Sequence, residues 1–159
     1  YTFAVHGCCV KVDTLTGKST VEEYWAAHDA GTIINPLGAI GQVIGGVVQG
    51  LGMALSETTS VSKNGQLLNP SYLDDRVPTF PDVPQVNVYF SPVFEDNGPA
   101  GAKTIGEPPV IPVAGCVANA IYDAIGVRQY NLPMTPEQVW RTLNDHESSK
   151  AAQFKECLA

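Results

Sequence analysis

The sequence predicts an α+β domain of mixed strands with two apolar helices and a short C-terminal helix. Three observations predict it. Two runs rich in β-branched and aromatic residues flank a turn within residues 1–28. Two glycine-punctuated apolar stretches carry helix start or stop signals. Neither a repeat nor a regular strand–helix alternation orders these pieces, which separates them from a parallel α/β design. At 159 residues, with 44% apolar and 16% charged residues, the chain has material for one domain core and is no disordered polymer. Sixteen acids against nine Lys and Arg leave a net charge of -7. No basic run supplies the footprint of a nucleic-acid binder.

The elements follow in order. Tyr1 to Asp13 reads as a strand, and it lacks the basic and apolar regions of a signal peptide. A chain that begins inside a strand is the pattern expected of a piece of a larger polypeptide. Thr14 to Gly17 form a turn, with Gly17 able to take positive φ. Val21 to Ala27 complete a hairpin over residues 1–28.

Between Asp29 and Glu57 no residue is charged, and Gly31, Gly38, Gly41, Gly45, Gly46, Gly50 and Gly52 punctuate the stretch. A helix is predicted from Pro36 to Leu55, with Asn35 as N-cap and Pro36 at the first helical position. Each interior glycine costs about 0.5–1 kcal/mol relative to alanine, so close packing against a backbone or a ligand is expected there. The length approaches a membrane span of about 20 residues, and the four-residue glycine spacing suits helix pairing in lipid. Gln42 and Gln49 on one face, without basic flanks or an aromatic belt, argue against that reading.

Ser60 to Leu68 contains the hairpin signal Asn64-Gly65. Asn69 to Pro84, with four prolines, reads as an irregular loop, and Val86 to Phe94 as a strand. Glu95 to Gly106 is a polar loop. A second apolar helix is expected from Pro108 or Pro109 to Ile125, closed by Gly126. Thr135-Pro136-Glu137 starts a third through Val139, Trp140 and Leu143. This gives a domain over residues 1–144 and a polar tail over 145–159.

Two motifs carry chemistry. The first is Asn35-Pro36-Leu37-Gly38-Ala39-Ile40-Gly41-Gln42, an uncharged helix start that suits an anion, with Gln42 adding an amide for a heterocycle edge. The competing reading is a tightly packed core helix with a polar cap. The second runs from Gly101 through Lys103 and Glu107 to Pro109. A carboxylate before a helix is held ionised and suits a general base, while ordinary capping is the competing reading.

The remaining groups are weaker. Cys8, Cys9, Cys116 and Cys157 lack CxxC spacing and read as reduced buried thiols. His6 and His146 read as structural or solvated. His28-Asp29 reads as an acid–base pair or as a turn in which Asp29 satisfies backbone amides, and Asp74-Asp75-Arg76 as a loop ion pair. No spacing suggests a metal held by protein side chains. The residues alone lead to an anion or cofactor site with one candidate base.

The run His28-Asp29-Ala30-Gly31-Thr32-Ile33-Ile34-Asn35-Pro36, the segment Gly41 to Gly52, and Gly101-Ala102-Lys103 followed by Gly106-Glu107-Pro108-Pro109 are in register with a known pattern. From Tyr1 to about Asn144 the chain resembles the C-terminal part of the molybdopterin-binding large subunit of the xanthine oxidase family of molybdenum hydroxylases. This family includes xanthine dehydrogenases and aldehyde oxidases. The resemblance implies part of a molybdopterin-binding domain in a molybdenum-dependent oxidoreductase. Such an enzyme hydroxylates an electron-poor carbon of an N-heterocycle or aldehyde with water-derived oxygen.

Glu107 is then implied as the general base on the molybdenum-bound hydroxyl. Gln42 is implied to contact the pterin, with Asp29, Ala30, Gly31, Asn35, Ile40, Gly41 and Lys103 around it. The metal would be held by the dithiolene of the pterin, which in bacteria often takes the cytosine dinucleotide form. Implied partners are the rest of the molybdopterin subunit, 2Fe-2S and FAD domains or subunits, and a small-molecule substrate, with neither nucleic acid nor membrane. The implied location is cytoplasmic. Thr104-Ile105 departs from a position that is often small, which bears on pocket shape. Since the family's earlier segments supply further contacts, the chain alone is expected neither to hold the cofactor firmly nor to turn over. The alternative is a non-catalytic assembly or cofactor-docking module.

Overall fold

The computed structural model describes residues 1–91 and 93–156. Its sheet has three strands, β1 (Phe3–Val12), β2 (Ser19–Asp29) and β3 (Gln85–Phe90), in the order β1-β2-β3. Alternation sets the first two. Ala4, His6, Cys8, Val10 and Val12 turn toward the core, while Phe3, Val5 and Cys9 face outward. On β2, Tyr24, Ala26 and His28 share the inner face and are fully buried. The pair is antiparallel from Phe3 opposite Asp29 to Val12 opposite Ser19, with a register shift between Cys9 and Val10. Gly17 closes the turn at φ 74°, pressed against Pro136 and Trp140, so a side chain there would be doubly excluded.

Helix α1 (Pro36–Leu55) leads from β2 toward β3, which adds to β2 in parallel. Helix α2 (Val113–Ile125) packs on β1 and on α1. One core joins Tyr24 and Ala26 to Val43, Val47 and Leu51 of α1 and to Val113, Val117 and Ile121 of α2. Met134 and Val139, at the start of helix α3 (Pro136–Glu156), complete it. Two α1 glycines make the helix contact possible. A Cβ on Gly46 would sit 2.7 Å from Pro109 Cβ, and one on Gly50 2.5 Å from Val113 Cβ. By length and composition α1 would suit a membrane span, yet Val43, Val47, Leu51 and Ala54 are spent inside this core.

The inner face also carries a polar chain. His28 Nε2 lies 2.9 Å from His6 Nε2, and His6 Nδ1 lies 2.9 Å from the Tyr24 hydroxyl. Buried His28 Nδ1 has no partner. The tautomer in which His28 donates to His6 leaves that atom a bare acceptor rather than an orphaned N–H, the cheaper outcome. Burial, then the charge of His28, pushes His6 down to about 4. Cys116 Sγ and Cys8 Sγ are 3.6 Å apart beside Tyr24.

Several expectations are corrected. Helix α2 begins at Val113, not at Pro108 or Pro109. Pro108, Pro109 and Pro112 lack N–H donors and push the residues before them out of the α region, so 107–112 forms turns. Helix α3 runs on to Glu156 through residues read as a tail, a stretch free of glycine and proline. The strand expected over Val86 to Phe94 ends at Phe90, and Pro92 lies outside the described residues. Asn64-Gly65 does turn the chain, with Gly65 at φ 80°, but the hairpin is short: one isolated bridge, Val61 to Leu67, flanked by the bonds from Ser62 N–H to Gln66 O and from Leu68 N–H to Ser60 O. Cys8 and Cys116 are partly buried free thiols, whereas Cys9 is exposed on the outer sheet face; Cys157 lies outside the described residues. Arg76 pairs with neither Asp74 nor Asp75, because Ser71 bonds the Asp74 carboxylate and both backbone amides.

Candidate cofactor site

The end of β2, the start of α1 and the loop 101–109 converge at one edge of the domain. Backbone bonds sew the first and last together. Thr32 N–H donates to Gly101 O at 2.8 Å, Lys103 N–H donates to Ala30 O at 2.9 Å, and Gly31 bridges Ala102. Gly31 sits at φ 67° against the Gly101 carbonyl, an approach that excludes any Cβ. Asp29 secures the junction. Its Oδ2 accepts from Lys103 Nζ at 2.6 Å and its Oδ1 from Gly31 N–H at 3.3 Å. Lys103 holds the Asp29 carboxyl below the usual carboxylate range.

This geometry settles His28-Asp29. Neighbours on a strand point to opposite faces, so His28 enters the core while Asp29 ties down the turn. They do not act as a pair. Nor is Lys103 a free cation, since Asp29 and, at 3.9 Å, Glu95 surround its ammonium group.

Helix α1 begins as its sequence dictates. Asn35 Oδ1 accepts from Gly38 N–H at 3.1 Å, and Asn35 O accepts from Ala39 N–H at 2.9 Å. Pro36 has no N–H, so the first turn leaves only Leu37 to seek an outside acceptor. The expected anion site is therefore largely filled by the helix's own cap. One turn further, Gln42 Nε2 donates to Gly106 O at 2.8 Å. Glu107 follows directly and is exposed, with no protein partner for its carboxylate. With α2 starting at Val113, the predicted dipole at Glu107 is absent.

A cavity of about 340 Å³ opens between these elements, lined by Ala30, Thr32, Asn35, Gln42, Lys103 and Gly106 among others. Ala30, Asn35, Gln42 and Lys103 thus meet as expected. Gly31 lines an adjoining hollow with Phe90 and Phe94, and Asp29 stands behind the wall. Ile40 and Gly41 lie on the exposed side of α1 outside the cavity. Thr32 and Ile105, not singled out as site residues, also line it. Their signal was position, since Thr32 falls within the run His28 to Pro36 and Ile105 within the motif from Gly101 to Pro109. A larger cavity, about 460 Å³, lies at the other end of α1 near Lys18 and Arg76 and holds none of the candidate residues.

A family model described as the molybdopterin cofactor-binding domain matches residues 1–84, and the chain belongs to this family. It is 42% identical over 130 residues to the xanthine dehydrogenase molybdenum-binding subunit of an Escherichia coli strain, covering 81% of this chain and 17% of that protein. It is 36% identical over 145 residues to the aldehyde oxidoreductase of Megalodesulfovibrio gigas, covering 90% of this chain and 15% of that protein. Among solved structures, quinoline 2-oxidoreductase from Pseudomonas putida superposes with a TM-score of 0.83 at 30% identity, over 87% of this chain and 18% of that one. The chain spans between 15% and 20% of the length of such curated relatives.

Proposed function

We propose that this chain forms one wall of the molybdenum–pterin site of a hydroxylase acting on an N-heterocycle or aldehyde, with Glu107 as the base. One observation carries the reading. In a chain of this family, the exposed Glu107 directly follows Gly106, the last residue lining a cavity walled by Asn35, Gln42 and Thr32, although Glu107 is not itself among the lining residues. The wall fits a bulky heterocyclic cofactor. A Cβ on Gly41 or Gly106 would meet nothing within 4 Å, so flat backbone lies on either side of the Gln42 amide.

When bound, the molybdenum–pterin group supplies a two-electron redox centre. The chain's own residues do the rest. Asn35, Gln42 and Thr32 offer amides and a hydroxyl to the pterin edge. Ile40 and Gly41 extend that surface along the open side of α1. Asp29, Gly31 and Lys103 hold the wall from behind, and Ala30 contributes backbone. Glu107 takes up the proton of the attacking, water-derived oxygen at its carboxylate. The names of relatives support the substrate class, for they specify xanthine, nicotine, quinoline and aldehyde.

The same reading places the chain in a larger cytoplasmic subunit, with iron–sulfur and flavin partners as the electron exit. Relatives titled "large chain" and "subunit gamma" support a multi-subunit assembly. A cytosine dinucleotide form of the pterin belongs to the proposal. The isolated chain, lacking the other walls, neither retains the cofactor nor turns over.

Elemental molybdenum and pterin per full-length subunit, with co-purifying subunits identified, test this. Near-stoichiometric molybdenum is expected. A metal-free intact assembly would overturn it in favour of a docking module.

A further inference from the structure

The contact between Gln42 and the loop that carries Glu107 has a consequence beyond cofactor binding. Gln42, Gly46 and Gly50 are four residues apart and line one face of α1. The segment leading into α2 runs along that face. Gly106 O accepts from Gln42 Nε2 at 2.8 Å, Pro109 seats on Gly46, and Val113 seats on Gly50. Upstream, Lys103 is tied to Asp29 and Ala30, and Thr104 O accepts from Thr2 Oγ1 at 3.1 Å. Among the described residues the Glu107 carboxylate has no hydrogen-bond or ion-pair partner. Its place is set by its backbone and neighbours, and the nearest side-chain tether is the Gln42 bond one residue away.

That tether acts on the least constrained link. Gly106 has open space where a Cβ would be, and a glycine backbone swings more freely than any other. The prolines at 108 and 109 have no N–H to donate. The turn that begins at Glu107 is closed by the 3.0 Å bond from Val110 N–H to Glu107 O. Removing the Gln42 donor would leave Gly106 O exposed and the Glu107 backbone free to rotate about a glycine.

The geometry points to Gln42 as a positioning residue for Glu107: its amide N–H fixes the base by holding the Gly106 carbonyl. This rests on Glu107 being the base. The side chain has two ends with separate tasks, for Nε2 is committed to the loop while Oε1 is left for a bound group. Occupancy of the cofactor site and placement of the base are thereby joined through one side chain.

The test uses the full-length, cofactor-loaded subunit with its partners, comparing wild type with Gln42→Met, a similar shape without a donor, and Gln42→Lys, which restores one. Four quantities are read: amide hydrogen exchange at Lys103 and Val110, whose N–H groups are hydrogen-bonded on either side of this segment, molybdenum per subunit, kcat, and KM for the best aldehyde or N-heterocycle with a dye acceptor. In Gln42→Met, which also removes the Oε1 offered to the pterin, exchange at these two amides should rise, and kcat is expressed per bound molybdenum so that cofactor loss is separated from misplacement of the base. Its kcat should fall about 100-fold with KM changed by no more than about twofold, as for a misplaced catalytic group. Gln42→Lys should restore protection and about tenfold of the lost kcat, the value of one recovered hydrogen bond.

Unchanged exchange and kcat in Gln42→Met would overturn the proposal. So would a loss of kcat that merely tracks lost molybdenum, or a lysine variant as impaired as the methionine one. Glu107→Gln separates the two levels of the argument. If that variant keeps full activity, Glu107 is not the base, while the exchange data still report whether Gln42 holds the loop.

Discussion

Helix α1 contains two glycine pairs of identical spacing and opposite surroundings. Gly46 and Gly50 face Pro109 and Val113 at distances no side chain tolerates, whereas Gly41 and Gly45 face open space. The first pair is explained by the domain's own packing. The second bears the same helix-propensity cost with no return inside this chain. One motif thus serves two purposes. Its inner half lets α2 and the Glu107 segment lie close, and its outer half leaves bare backbone facing open space.

Substitutions can break that contrast. The largest effect is expected at Gly50→Val, which forces branched carbons into Val113 and should destabilise the chain by about 3 kcal/mol, the upper range for overpacking. Urea unfolding measures it; a loss below that of a surface substitution would mean the helices can simply part. Gly46→Ala should cost less, about 1–2 kcal/mol, because Pro109 has one contact to yield and alanine recovers some helix propensity.

On the outer half the sign should reverse. Gly41→Ala and Gly45→Ala should each stabilise the 159-residue chain by about 0.5–1 kcal/mol, since nothing opposes the added methyl. The same Gly41→Ala in the full-length subunit should weaken pterin retention, read as pterin released on gel filtration. Stabilisation in both settings would show that the outer face is simply solvated.

A smaller, pH-linked effect separates the core from the site. His6 is held at about 4 and His28 is also lowered, both by burial. Between the ordinary value of 6.5 and about 4 the unfolded chain binds more protons than the folded one. Stability should therefore fall as pH drops through that window and level off below it. His6→Gln should flatten the slope. An unchanged slope would place the titrating group elsewhere.

Much of this was readable from residue order. Asn35-Pro36 starts α1 and Gly126 ends α2, because both signals are local and each was met by the backbone it required. Gly17 and Gly65 take the positive φ their turns demanded. Other features depend on distant partners. The parallel pairing of β3 with β2 has no local signature, nor does the Gln42–Gly106 bond between residues 64 apart. The delayed start of α2 was legible in principle, since Pro112 forbids the helix that apolar periodicity suggested. Lys103 and Asp29 read as cofactor-site residues in the sequence, and only their 2.6 Å contact showed that they neutralise each other rather than attract an anion.

The most direct measurement is turnover of the complete, cofactor-loaded assembly carrying Glu107→Gln, with molybdenum measured on the same sample. Glutamine keeps the shape and removes the basic oxygen. Turnover should fall by about 10²- to 10⁴-fold, the range for loss of a general base, with molybdenum content unchanged. Wild-type turnover at full molybdenum would contradict the assignment of Glu107 as the base.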